Sequence, residues 1–215
     1  QIEVLKTKLE KLDDKNLMLK IHTNVGSVHL YMKSYDKSLD HYKKAINMAQ
    51  QTGDKRREGN CLNNIGLIHV RKNQMDQALE NYLLAIDLLS GIDDKFGLAD
   101  AYANLGLIYA SDKDSTITNY ELAQEYYGKA LDYYRQINHI KGTSICLNNL
   151  AILKQKTDQF DIALENALES LELAEKINSL DDLKNVYNTL SNIYKKQEDY
   201  KNAYEYLYKS DKIKT

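Results

Sequence analysis

Asparagine recurs along this chain at a fixed interval. Asn24, Asn64 and Asn104 stand 40 residues apart, and Asn149 follows 45 later. Asn63 and Asn148 sit directly before two of them, and Asn188 and Asn192 occupy the matching stretch near the end. A primary amide donates and accepts at once, so a row of such groups can pair with a peptide backbone as a neighbouring β-strand would. The other reactive residue types give much weaker patterns. No His or Cys pair has the spacing of a zinc site. His29 and His69 fall in a column shared with Tyr109 and Tyr194, which reads as packing. Asp112, Asp114 and Thr116 imitate the opening of a calcium loop, but its sixth position is Ile117 where Gly belongs, and its twelfth is Ala123 where Glu belongs. There is no Gly-rich phosphate loop and no nucleophile motif. The expectation is a protein that is not an enzyme and needs no cofactor or metal.

An internal repeat positions the asparagines. Gly26, Gly66, Gly106, Ala151 and Ser191 align, each after an apolar residue. A second small column holds Ser38, Ala78, Ala123, Ala163 and Ala203, and a third holds Ala45, Ala85, Ala130, Ser170 and Ser210. Two antiparallel helices approach closely only where side chains are small, and a large neighbour then fills the gap. Apolar residues three and four apart, such as Tyr42 with Ile46 and Tyr82 with Ile86, give each helix its buried stripe. Gly53, Asp93, Asn138 and Asn178 stand where a left-handed helix end is needed. Of the residues that follow them, Asp54, Asp94 and Ser179 can cap the next helix, with His139 in the fourth position. Proline is absent, so no helix is interrupted.

This pattern resembles the tetratricopeptide repeat family in a longer form of about 40 residues, similar to the repeats in sensor regions of bacterial signalling proteins. The resemblance implies an all-α, right-handed solenoid of antiparallel helix pairs with about eleven helices. Residues 1–215 would form one solenoid. A half repeat at 1–14 would precede pairs at 15–54, 55–94, 95–139, 140–179 and 180–215, with five extra residues between the helices of the third pair, within 111–119. Residues 2–12 match a second helix, so the chain is read as beginning half-way through a unit. Asp211 replaces an apolar column residue in the last helix, which suits a wetter end.

The family's first helices line a concave face that usually holds a partner peptide or helix. Carried onto this chain, its groove positions are Asn24, Asn63, Asn64, Leu67, Arg71, Asn104, Leu107, Asn148, Asn149, Ile152, Lys156, Asn188, Asn192 and Lys196. The asparagine ladder is similar to that of kinesin light chain repeats. Leu67, Leu107 and Ile152 would form an apolar strip, with Arg71, Lys156, Lys195 and Lys196 along a rim, suiting a partner with apolar anchors and acidic flanks. The same asparagines also have an internal reading, as hydrogen bonds between helices. The clamp that some relatives use for chaperone tails is missing, because only Asn64 matches its charged and amide positions.

Charge narrows the partner class. The net charge is −2, without the basic excess of a nucleic-acid surface or a polybasic membrane patch. No apolar run reaches the roughly 18 residues of a membrane span. Cys61 and Cys146 occupy one site in non-adjacent units and read as buried free thiols, which suits a reducing cytoplasm. The expected function is a protein-interaction scaffold with a protein or peptide ligand. The alternatives are a sensor or regulatory segment of a larger bacterial signalling protein (a histidine kinase or transcription regulator) and a peptide-pheromone receptor. Open solenoid ends also allow a homodimer.

Overall fold

The computed structural model describes residues 14–111 and 118–213. Every regular element among them is an α-helix, ten in all: α1 Lys15–Tyr31, α2 Tyr35–Thr52, α3 Lys55–Arg71, α4 Met75–Ser90, α5 Lys95–Tyr109, α6 Tyr120–Gln136, α7 Ile140–Lys156, α8 Phe160–Lys176, α9 Leu180–Lys196 and α10 Tyr200–Lys212. The eleventh helix, expected over 2–12, and the calcium-like residues Asp112, Asp114 and Thr116 lie outside the described residues. Two compact units emerge, residues 1–104 and 105–215, with α5 divided between them.

Helix pairing follows the small-residue columns. In the first unit, a methyl group added to Gly26 would lie 2.9 Å from the Tyr42 ring, and one added to Gly66 would lie 2.6 Å from the Tyr82 ring. In the second, Gly106 stands in the same relation to Tyr127, at 2.7 Å. The three tyrosines are almost wholly buried, each contributing on the order of 2–3 kcal/mol of apolar burial. The fourth pair swaps both partners together: Ala151 and Ala167 stand where the first three pairs have Gly and Tyr, and both alanines are fully buried. Hydroxyls in the small columns hold the crossings from the side. Ser38 Oγ donates to the Gly26 carbonyl at 2.7 Å, and Ser191 Oγ donates to the Ala203 carbonyl at 2.7 Å.

The first unit is centred on Leu19, Tyr42, Ala45, Ala49, Cys61, Ile65 and Ile68. The second unit carries a cluster of Ala151, Ala163, Ala167, Val186, Leu190 and Ile193. Asp211 is exposed on the last helix, as its sequence position implies.

The turns between pairs use the residues named from sequence. Gly53, Asp93, Asn138 and Asn178 all have positive φ, from 50° to 71°. Lys33, Asn73, Asp158 and Glu198 do so as well, in the turns inside the pairs. Lys and Glu carry a strain of about 1–2 kcal/mol there, and their columns gave no glycine signal. Helix starts differ from expectation at two places. The Asp54 carboxylate accepts from the Arg57 amide at 3.0 Å, as expected. At α7, however, His139 Nδ1 accepts from the Gly142 amide at 3.1 Å, so a ring nitrogen does the capping. Ser179 does not cap α9, because its hydroxyl is drawn to the Asp182 carboxylate at 2.5 Å.

Candidate functional site

The odd-numbered helices α1 to α9 carry the expected groove columns, and the two asparagine columns behave differently. Asn24 is exposed, and Asn64, Asn104 and Asn149 are half-buried. Among the described residues, these four side chains make no hydrogen bond within the chain. Helix-to-helix bonding therefore does not use their amides, and they remain free to pair with something else. The fifth member of the column, Thr189, bonds its own helix at the Asn185 carbonyl, 3.1 Å away.

The neighbouring column turns inward. Asn63 is 7% exposed, and its Nδ2 donates to the Gly97 carbonyl at 3.2 Å, tying α3 to α5 within the first unit. Asn148 is 8% exposed, and its Oδ1 is buried with no hydrogen-bond partner among the described residues. Asn188 is half-buried and Asn192 exposed.

In the second unit, Leu107 is 48% exposed and Ile152 is 37% exposed. Leu67, in the first unit, is half-buried. Of the rim cations, Arg71, Lys195 and Lys196 are exposed. Lys156 is partly committed: its ammonium donates to the Ala110 carbonyl at 3.0 Å and lies 5.5 Å from the Tyr120 ring centre.

Sequence reasoning missed two arrangements. One joins histidines: His22 and His41 approach through Nδ1 atoms 2.9 Å apart, and the His29 ring stacks on His41 with centroids 5.5 Å apart. The other is a recess of about 70 Å³ in the second unit, walled by Ser144, Asn148 and Asn149 of α7, Ser170 of α8, and Asp182 and Asn185 of α9. A column comparison carries its signal, since Asp182 takes the place that Gly97 holds two units earlier.

Cys61 and Cys146 are both buried free thiols. Burial pushes the Cys61 thiol up to about 11, so near neutral pH it stays protonated and unreactive. Among the described residues, no group of three or more His, Cys, Asp or Glu could hold a metal ion. None of the described helices is long and apolar enough to cross a membrane.

Two models described as tetratricopeptide repeat match residues 17–90 with 117–176, and residues 185–215. The chain belongs to the tetratricopeptide repeat family. No curated protein matches it in sequence. Three solved structures place these tetratricopeptide repeats among α-solenoids. BtubC from P. vanneervenii superposes with a TM-score of 0.81 at 19% identity, over 99% of this chain and 86% of its own. A Signal Transduction ATPase with Numerous Domains from Pyrococcus horikoshii, with a tetratricopeptide repeat sensor, gives 0.77 at 19% identity, over 98% of this chain and 32% of its own. A Rap protein complexed with Competence and Sporulation Factor gives 0.71 at 17% identity, over 95% of this chain and 56% of its own. At such identities the likeness concerns the fold.

Proposed function

We propose that this chain is a protein-interaction scaffold whose odd-numbered helices hold an extended peptide or a helix of a partner protein. The observation that carries the reading is the row Asn24, Asn64, Asn104 and Asn149, whose amides make no hydrogen bond among the described residues. A solvated amide loses little when it exchanges water for a peptide group, and a prefolded helix row adds little ordering cost. Leu107 and Ile152 supply the apolar contact beside them, and Arg71, Lys195 and Lys196 favour acidic flanks. In this reading residues 1–215 act as one binding domain. It involves no catalysis, nucleic acid, cofactor or membrane span. The complex of the similarly folded NprR with its cognate peptide NprX supports a peptide as ligand.

The test begins with peptides selected from a random display library against the 215-residue chain, followed by calorimetry. Leu107→Glu with Ile152→Glu should weaken the selected peptides by at least about tenfold, and Ala at Asn64, Asn104 and Asn149 should do so without lowering stability. Unchanged affinity in both variants would remove the proposal. A second reading, a sensor segment of a larger signalling protein, is favoured by the Pyrococcus horikoshii structure, in which a fold like this one accounts for a third of a longer chain.

A further inference from the structure

The recess between α7 and α9 holds two buried acceptors and is lined by no cationic side chain. Asn148 Oδ1 is buried without a partner. Asp182 is 8% exposed. Its carboxylate receives one hydrogen bond, from the Ser179 hydroxyl, and pairs with no cation among the described residues. Buried charges are ordinarily paired, because an unpaired one has lost its hydration without compensation. A buried aspartate of the first unit shows the ordinary arrangement: Asp94, also 8% exposed, faces Arg56 with Nε 3.2 Å away. In the recess, no cationic side chain lines the wall beside Asp182.

The other walls supply amide donors from Asn149 and Asn185 but no cation. The Ser144 hydroxyl bonds the Ser170 carbonyl at 2.9 Å, and the Ser170 hydroxyl bonds the Ser144 carbonyl at 2.8 Å, so both protons are spent. A space of about 70 Å³ is large enough for the end of a side chain. Donor-rich and cationic is the complement required. Among the described residues no three His, Cys, Asp or Glu side chains gather to hold a metal ion, and the recess contributes only one of that set, Asp182. An ammonium group meets the requirement: its three N–H groups can satisfy Asn148 Oδ1 and Asp182 together, and its charge neutralises the carboxylate.

We propose that this recess receives a primary ammonium group, from a lysine side chain or a free amino terminus of the bound peptide. The proposal rests on the scaffold reading above and gives it a specific chemistry: a cationic anchor at α7 and α9, distinct from the acidic flanks that the rim cations favour. It predicts that partners carry a lysine or their amino terminus at this point of their length.

Three small probes separate the sources. Nα-acetyl-lysine N-methylamide carries only a side-chain ammonium, alanine N-methylamide carries only a terminal one, and Nα-acetyl-norleucine N-methylamide carries neither. Each is titrated into the full chain while the side-chain amide resonances of Asn148 and Asn185 are followed by NMR. At least one ammonium probe should shift these resonances saturably, the norleucine probe should not, and Asp182→Asn should weaken the effect about tenfold with the backbone spectrum otherwise preserved. Equal shifts from norleucine, no shift from either ammonium probe, or indifference to Asp182→Asn would each overturn the proposal. Failure of the scaffold reading looks different. Ammonium probes would still shift Asn148 while no selected peptide responds to Leu107→Glu with Ile152→Glu. If selected peptides respond to that pair but not to Asp182→Asn, the scaffold stands and the recess assignment falls.

Discussion

The seam between α3 and α5 and the seam between α7 and α9 are built from the same columns, yet one is filled by a buried leucine and the other holds a recess. In the first unit the seam has Gly59, Asn63, Leu89 and Gly97; in the second it has Ser144, Asn148, Ala174 and Asp182. Leu89 is fully buried and lies against both glycines: a methyl group on Gly59 would meet its Cγ at 2.6 Å, and one on Gly97 would meet its Cδ1 at 2.9 Å. With the backbone that bare, Asn63 reaches the Gly97 carbonyl and its Nδ2 is satisfied. In the second unit a smaller Ala174 faces bulkier, polar neighbours. Asn148 makes no such bond, and about 70 Å³ remain between the helices. Both asparagine oxygens are buried without a partner among the described residues, so the two amides differ at the nitrogen: Asn63 Nδ2 ties its seam, and Asn148 makes no such bond, although the residue type and repeat position are the same.

The largest effect should come from removing the side chain that closes the first seam. Leu89→Ala should cost about 2–5 kcal/mol in urea unfolding, since a fully buried leucine leaves a cavity that helices relax into only partly. A loss under about 1 kcal/mol would mean that Leu89 does not close the seam. Next in size is Gly97→Asp, which copies the second seam into the first. Its Cβ would crowd Leu89 and Asn60 Oδ1, at 2.9 and 3.0 Å, so a loss of about 1–3 kcal/mol from overpacking is expected. Full stability would show that the backbone spacing, not the glycine, sets the difference. The smallest and most discriminating contrast is between the two asparagines. Asn63→Ala should cost about 1 kcal/mol for its lost hydrogen bond, while Asn148→Ala should stay within about 0.5 kcal/mol. Equal losses, by the same unfolding measurement, would erase the distinction on which the ammonium site depends.

Much of this architecture could be read from residue types alone. The Gly26 column and the tyrosines that pack on it announce close helix crossings, because only a missing side chain lets a ring lie on a neighbouring backbone. Gly53, Asp93, Asn138 and Asn178 announce left-handed ends, and all four adopt them. Where several residues solve the same local problem, the reading slipped. His139 caps through a ring nitrogen, Ser179 turns to Asp182, and Lys33 and Glu198 take positive φ, because the tight turn compels them and no local preference reveals it. The asparagine columns were visible as candidates, but the division of labour between them was not. Nothing in the spelling Asn63-Asn64 and Asn148-Asn149 tells which amide faces inward.

The sequence by itself determined the repeat, the helix pairs and the family, since these follow from periodic side-chain size and from turn chemistry along the chain. The tertiary structure alone decided which polar groups are satisfied. That property depends on atoms from helices distant in sequence meeting within about 3 Å. A single exchange of leucine for alanine or of glycine for aspartate across a seam changes whether they meet.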